Sequence, residues 1–287
     1  TRLTKVTGVQ TCALPISGNG NETGKGAARL FDAHCHLDLM SNATQVARDA
    51  AAGGLAFLAV TVEPRGYETA RLTLGELANV HLAAGLHPWW VADGRCGPDD
   101  VERAAELAAQ THLIGEVGLD FSPRHVPKNT EVIQAVAFRS ICQAVARTSD
   151  PATPKVLSIH AVRAANSCLD ILEETGCLRR CRCVFHWFSG SSDELHRAVQ
   201  ADCWFSVNEM MLRTRRGREY ARQLPLAQLL TETDLPPHAG EPFSAIAIQE
   251  SLERTIGAVA AIRKLDPEEL RKTLATNARA LLSSPLS

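Results

Sequence analysis

The sequence predicts an α/β protein of the (β/α)₈ TIM-barrel type, and three observations lead to that fold class. Short β-branched apolar runs alternate with longer segments of helical period along the chain. Eight such runs can be counted, which matches the strand number of the barrel. Residues 30–287 have the usual size of such a barrel, roughly 250 residues. A doubly wound open sheet is the alternative, although no GxGxxG turn follows the first run.

The predicted strands are the eight apolar runs Leu30–His36, Leu55–Val62, Val80–Leu86, His112–Leu119, Lys155–His160, Cys183–Trp187, Cys203–Val207 and Leu226–Thr231. Helical periodicity between them predicts helices that include Asp99–Gln110, Thr130–Arg147, Ala164–Thr175, Asp193–Gln200 and Arg215–Gln223. Proline followed by two acidic residues favours a helix start, so a last helix is predicted from Pro267 to about Leu282.

The first 29 residues are excluded from the fold prediction. Residues 6–17 look like a translated sequencing adapter, and residues 18–29 are rich in Gly and Asn without an apolar period. We therefore expect a disordered segment over 1–29 and one barrel domain over 30–287. The opening segment contains four basic residues and one acidic residue, so the domain carries a formal net charge of −5 in place of −2. A domain of this charge needs a local basic site to bind nucleic acid.

Composition also bears on where the protein works. The longest apolar stretch, Leu55 to Val60, is far shorter than a membrane-spanning helix requires, and no secretory signal is visible. Most cysteines are scattered, as reduced thiols are. We expect a cytoplasmic protein that does not enter a membrane. The cluster of Cys177, Cys181 and Cys183 lacks a CxxC pair and a fourth ligand, so it does not match a structural zinc site.

The first predicted strand ends in a pair of histidines, His34 and His36. Residues two apart on a strand face the same side, so both imidazoles point into one space while Cys35 points away. This pair can hold a metal ion. Two histidines that are merely hydrogen-bonded explain the pattern equally well.

Ligand-type residues recur at the ends of later strands. They are Glu116 on the fourth, His160 on the fifth, His186 on the sixth and Asp234 after the eighth. The carboxyl ends of barrel strands converge on one face, where active sites of this fold lie. Six buried polar groups without partners would be too costly, so a metal centre is favoured. Imidazole and carboxylate suit Zn²⁺ or Mn²⁺ better than Ca²⁺, and the two oxygens of Glu116 can bridge two ions.

Six motifs occur in a characteristic order: DAHCHLD at 32–38, GLHP at 85–88, GEVGLDF at 115–121, SIHA at 158–161, HWFSGS at 186–191 and TETD at 231–234. In this order and spacing the chain resembles the TatD family of metal-dependent deoxyribonucleases, which are amidohydrolase-like barrels. The resemblance runs from Leu30 to about Leu282. It includes Gln134, Phe138 and the segment 276–279. HWFSG with residues 203–207 also resembles the QatD-type members of a bacterial anti-phage cassette.

The resemblance implies two divalent metal ions, Mg²⁺, Mn²⁺ or Zn²⁺, and a role for each site residue. One metal would be held by His34, His36 and Asp234, the second by His160 and His186, and Glu116 would lie between them. Glu116, Asp234, His87 and Glu232 would form the catalytic set, with His87 facing the substrate and Asp120 orienting a ligand. One departure concerns phosphate binding, because Val162 occupies the place where family members carry Arg and the arginine here is Arg163.

The function that the resemblance implies is two-metal hydrolysis of DNA phosphodiester bonds. Two ions can activate water and stabilise the entering and leaving oxygens, with Asp234 or His87 handling the proton. A barrel mouth admits a chain end more readily than a duplex, so we expect an exonuclease on single-stranded ends. An amide, lactone or aminoacyl-ester hydrolase is one alternative. Another is a partner protein of a defence complex, active only when assembled.

Substrate contacts are predicted at two places on the metal face. Trp89 and Trp90 can stack bases or pack the loop after the third strand. Arg213, Arg215 and Arg216 follow the seventh strand, where they can hold phosphates or form a solvated helix start.

Overall fold

The computed structural model describes residues 30–282, in which eight parallel strands alternate with helices. The strands are β1 (Leu30–Cys35), β2 (Leu55–Val60), β3 (Val80–Ala83), β4 (Leu113–Asp120), β5 (Val156–Val162), β6 (Arg182–His186), β7 (Trp204–Val207) and β8 (Leu229–Thr231). The helices are α1 (Ala43–Ala52), α2 (Pro64–Leu74), α3 (Pro88–Ala92), α4 (Pro98–Gln110), α5 (Glu131–Thr148), α6 (Ala165–Thr175), α7 (Cys177–Arg180), α8 (Ser192–Gln200), α9 (Glu209–Leu212), α10 (Arg215–Gln223), α11 (Ala245–Arg263) and α12 (Pro267–Leu282).

The strands form two parallel sheets that meet at both edges. One sheet has the order β1-β2-β3, and the other runs from β4 to β8 in chain order. A bridge between Ala84 and Ile114 joins β3 to β4. Beyond the end of β8, the backbone N–H of Asp234 donates to the carbonyl of His34 at 2.9 Å, which joins β8 to β1. The predicted (β/α)₈ class is confirmed, with two ladders in place of one continuous ladder.

Two apolar cores lie on opposite faces of the strands. The larger core packs the strands against the helices, for example through Phe138 of α5 and Leu252 of α11. The smaller core contains side chains from both sheets, among them Phe31 and Val184, and it also contains Leu281 of α12. Because strands of both sheets contribute to it, the sheets curve around this core. Polar residues lie at the carboxyl ends of the strands.

The predicted elements agree closely with the observed ones, apart from some boundaries. All eight predicted strands are present. The last was predicted too long, since Leu226–Gln228 is a 3₁₀ turn in which the N–H of Gln228 donates to the carbonyl of Pro225. The predicted helix Arg215–Gln223 has its observed bounds. The prediction for residues 1–29 lies outside the described residues. No helix within 30–282 is long and apolar enough to cross a membrane.

Candidate metal centre

His34, within β1, and His36, directly after β1, enter a shared buried space, as their spacing predicts. The register of β1 against β2 shifts between Asp32 and Cys35, so the strand is irregular where the histidines lie. The imidazoles of His34 and His36 are both buried, with their centroids 5.1 Å apart. Cys35 points away, and its thiol lies 3.4 Å from the carbonyl of Leu235.

Glu116 lies between two pairs of histidines. Its Oε2 is 3.4 Å from Nε2 of His34 and 3.2 Å from Nε2 of His36. Its Oε1 is 2.7 Å from Nδ1 of His160 and 2.8 Å from Nε2 of His186. The carboxylate is only 2% exposed. Each oxygen of one buried carboxylate therefore faces a different histidine pair.

Asp234 joins the pair from β1. Its Oδ1 lies 3.4 Å from Nε2 of His36 and 3.8 Å from Nε2 of His34. The residue has a left-handed φ of 58°, and it follows directly after Thr233. Thr233 is fixed by Asp32, which accepts its hydroxyl at 2.5 Å and its backbone N–H at 2.9 Å. Asp32 thus holds the turn that presents Asp234, a role that the sequence analysis missed.

In two of the histidines, His34 and His160, the nitrogen that faces away from Glu116 has a partner of its own. Nδ1 of His34 lies 2.8 Å from the hydroxyl of Ser158, and Nε2 of His160 lies 3.1 Å from Oδ2 of Asp120. Partners of this kind fix the ring orientation of metal-binding histidines. Asp120 was predicted in this role. Ser158 was not, because a serine within a buried strand carries no sequence signal for such a contact.

Glu232 lies behind His186. It is fully buried, and Oε1 is 3.8 Å from Nδ1 of His186. Its carboxylate accepts a hydrogen bond from the hydroxyl of Ser206 and another from Nδ2 of Asn208 at 2.9 Å. These contacts suit a residue that orients His186. The catalytic role expected for Glu232 stays a prediction.

His87 differs from the other histidines in its hydrogen bonding. Its Nδ1 accepts the backbone N–H of Trp89 at 3.1 Å, so the proton of the neutral ring is on Nε2. That nitrogen lies 3.2 Å from Oε1 of Glu116. Burial lowers the pKa of His87 to about 4, although Glu116 acts in the opposite direction. At neutral pH His87 is therefore an uncharged donor that faces the centre.

The carboxylates of the centre remain ionised despite burial. Burial acts to raise the pKa of Glu116, but the surrounding His87, His186 and His34 hold it well below its usual range. Burial likewise acts to raise the pKa of Asp120, while hydrogen bonds from His160 and other donors bring it to about 2. Glu116 therefore stays negatively charged among the histidines, and Asp120 stays negatively charged behind His160.

The residues fit divalent metal ions. Three sets of residues bring their ligand atoms together, and within each set these atoms lie within 4.8 Å of one another. The sets are His34 with His36 and Glu116, His34 with His186 and Asp234, and His87 with Glu116 and His160. Nε2 of His34 is buried without a hydrogen-bond partner, although it points toward carboxylates. Imidazole and carboxylate are the donors that Zn²⁺ and Mn²⁺ accept. Among the residues that the structure describes, no such set contains a cysteine.

The two predicted stacking residues are engaged with the protein. The indole N–H of Trp89 donates to Asp120 at 2.7 Å, and its ring lies 4.9 Å from that of His87 and 5.2 Å from that of His125. The guanidinium of Arg95 lies 3.5 Å from the ring centroid of Trp90. These contacts favour the packing alternative for both tryptophans.

The predicted phosphate-binding arginines lie on the surface. Arg213, Arg215 and Arg216 are exposed at the junction of α9 and α10. Their side chains make no hydrogen bond or ion pair with other residues in 30–282. Glu209 lies close enough for Arg213 to lower its pKa, so the charge of Arg213 is partly offset. Arg163 is exposed with a φ of 55°.

Comparison with known proteins gives concordant matches. A family profile described as TatD related DNase matches residues 31–283. The metal-dependent hydrolase YcfH of Escherichia coli K12, which is named as uncharacterised, is 30% identical over 260 residues, covering 86% of this chain and 93% of the relative. Human deoxyribonuclease TATDN3 is 28% identical over 225 residues, covering 72% and 78%. The crystal structure of YJJV, a TatD homologue from Escherichia coli, superposes with a TM-score of 0.72 at 21% identity, covering 88% and 98%.

Proposed function

The chain belongs to the TatD-related DNase family and is a metal-dependent hydrolase, and from this premise we propose that it cleaves phosphodiester bonds of DNA with two divalent ions. The observation that supports two ions most directly is the position of the Glu116 carboxylate between two histidine pairs. Its two oxygens face two histidine pairs, with contacts of 3.2 and 3.4 Å on one side and 2.7 and 2.8 Å on the other.

Each ion would have its own ligands on either side of that carboxylate. His34, His36 and Asp234 would hold one ion, and His160 and His186 the other, with Glu116 shared. A bound pair supplies an activated water and stabilises charge on the entering and leaving oxygens. Ser158, Asp120 and Glu232 would keep the imidazoles oriented.

Two residues would manage protons. Asp234 is the more accessible carboxylate of the centre, with its side chain 23% exposed against 2% for Glu116. It is therefore the group that would accept a proton from the attacking water. His87 carries its proton on Nε2 and would donate a hydrogen bond to the phosphate.

The substrate would be a single strand that enters by its end. The ligands are recessed, since the side chain of His34 is fully buried and that of His36 is 9% exposed. A chain end reaches such a centre more readily than a continuous duplex. Arg215 and Arg216 would hold phosphates outside it, with a smaller contribution from Arg213 beside Glu209. Membership of an anti-phage cassette stays a prediction from the HWFSG segment.

The test is a cleavage assay with the full chain and each of Mg²⁺, Mn²⁺ and Zn²⁺. Single-stranded and duplex oligonucleotides labelled at either end would be supplied beside aryl esters and lactones. We expect stepwise shortening of the single strand, stopped by a chelator and restored by the metal. Turnover of esters or lactones without DNA cleavage would instead assign the centre to small-molecule hydrolysis.

A further inference from the structure

The loop between β4 and α5 is an unassigned basic segment at the carboxyl end of the strands. Residues 121–130 contain Arg124, His125 and Lys128 and no acidic residue, in a chain whose formal net charge is −2. All three side chains are exposed. Those of Arg124 and Lys128 make no hydrogen bond or ion pair within the described part of the chain. Their positive charge is therefore available to an outside anion.

His125 connects this loop to the metal centre. Its Nδ1 lies 2.9 Å from Oδ2 of Asp120, and the same oxygen lies 3.1 Å from Nε2 of His160. An ionised carboxylate only accepts hydrogen bonds, so Nδ1 of His125 carries the proton and the ring is fixed. The side chain is 39% exposed. One carboxylate thus orients both a candidate metal ligand and an imidazole at the surface.

His125 also has a ring nitrogen, Nε2, that can contact a substrate. The ring of His125 lies 5.2 Å from that of Trp89, and its Nε2 has no hydrogen-bond partner among residues 30–282. A solvated loop needs charge but not an imidazole held in one orientation beside the ligands. The loop therefore offers two positive charges that are unpaired among the described residues and one oriented imidazole with an available Nε2.

The loop and the arginines of α10 lie at different places around the centre. The loop follows β4, whereas α10 follows β7, and β5 and β6 separate these two strands in the sheet. A nucleic-acid strand whose end extends past the centre would meet one basic segment on each side of the cleaved bond. Successive phosphates of one strand supply the negative charges that such an arrangement requires.

We propose that Arg124, His125 and Lys128 form a second phosphate subsite, which binds a phosphate adjacent to the cleaved one on the side away from Arg215 and Arg216. The proposal rests on the proposed nuclease function, since it assigns the direction in which the substrate crosses the same centre. Arg124 and Lys128 neutralise the phosphate, and His125 contacts the strand from its fixed position above Asp120.

The test measures binding of a fluorescent oligothymidylate as a function of salt. The full chain carries Glu116→Gln so that the strand is not cleaved. Arg124→Ala with Lys128→Ala is compared with Arg147→Ala with Arg179→Ala, two exposed arginines near the amino ends of the strands, so equal charge is removed. The loop variant should bind more weakly, and its log–log salt slope should be shallower by about 0.7 for each phosphate that the loop no longer binds. The control should match the parent.

Each other outcome has a defined meaning. The subsite would be overturned if the parent and the loop variant gave the same log–log plot of affinity against salt. It would also be overturned if the loop variant and the control variant lost the same affinity. Loop-dependent binding by an enzyme that does not cleave DNA would keep the subsite and reject the nuclease. An absence of binding by the parent would reject the subsite, and it would reject the nuclease as well if the unsubstituted chain also fails to cleave DNA. In the active enzyme, His125→Ala should raise KM more than it lowers kcat, whereas a purely structural role would lower the melting temperature.

Discussion

Charged side chains have different kinds of partner at the amino ends and at the carboxyl ends of the strands. At the amino ends, Nζ of Lys155 donates to the carbonyls of Ala108 and Ala109 at 2.8 and 2.7 Å, and Arg182 donates to the carbonyl of Leu281 at 2.7 Å. These cations meet the carbonyls that helix ends leave unpaired. At the carboxyl ends, five imidazoles crowd one carboxylate, Glu116.

The difference separates stability from function within one fold. Backbone groups of the same molecule satisfy the charges at the amino ends, so those contacts hold helices in place. At the carboxyl ends, Nε2 of His34 is buried without a hydrogen-bond partner although it points toward Glu116 and Asp234. The donors there are arranged around a space for a cation. Substitutions at the two ends should therefore change different measurements.

The largest effect is expected for Glu116→Ala at the carboxyl ends. In the proposed two-ion centre both ion positions share this carboxylate, so hydrolysis should be abolished while the fold is kept. Activity would be measured beside circular dichroism, with Glu131→Ala, an exposed glutamate of α5, as the control. Normal turnover by a folded Glu116→Ala variant would contradict the shared position.

The second prediction concerns metal content. His34→Ala with His36→Ala should remove one of two bound ions, because the second pair, His160 and His186, keeps its contacts with Glu116. Elemental analysis of the purified protein gives the ratio directly. Unchanged metal content would show that the β1 histidines are not ligands.

A smaller effect is expected when only the orientation of a ligand is disturbed. Asp120→Asn should weaken metal binding by roughly 10- to 100-fold, since the charge that fixes the ring of His160 is removed. Competition with a chelator measures the affinity. Asp99→Asn, an exposed aspartate in the first turn of α4, is the matched control. Identical affinities in the two variants would mean that Asp120 supports only the loop.

The smallest effect on activity is expected at the amino ends. Lys155→Met leaves two helix carbonyls without their donor, which should cost about 1–3 kcal/mol of unfolding free energy and leave kcat unchanged. Urea unfolding measures the first quantity. Lys272→Met removes an exposed lysine and should behave as the wild type. A large fall in kcat for Lys155→Met would contradict the inference that the amino ends contribute to stability and not to activity.

The sequence predicts the strands and the gathering of the ligands well, for a physical reason. Strand ends are marked by changes from apolar to ligand-type residues, and parallel topology brings those ends together. His34, Glu116, His160 and Asp234 could therefore be placed without coordinates. Helix α11 was not predicted, because its buried residues, such as Ile248, Leu252 and Ile256, belong to a segment in which apolar residues also lie off the packed face.

The partners of the ligands could not be predicted in the same way. Whether Ser158 meets His34, or Asp32 meets Thr233, depends on how strands distant in the chain are aligned. The free surface of Trp89 and Trp90 depends on the positions of Asp120 and Arg95, which no local pattern specifies. The sequence shows that Glu232 is a carboxylate at a strand end, but not that it accepts hydrogen bonds from Ser206 and Asn208.

The link between Asp32 and Thr233 has a consequence for how the protein comes into being. These residues are 201 positions apart, and their contact places Asp234 beside the β1 histidines. Contacts between such distant positions form late, since the chain must first close a long loop. During synthesis, a ribosome-bound chain that ends before residue 229 has the first seven strands and every histidine that faces Glu116, but not Asp234. The candidate metal centre is therefore complete only when the last strand joins the first, and a partly made chain lacks its Asp234.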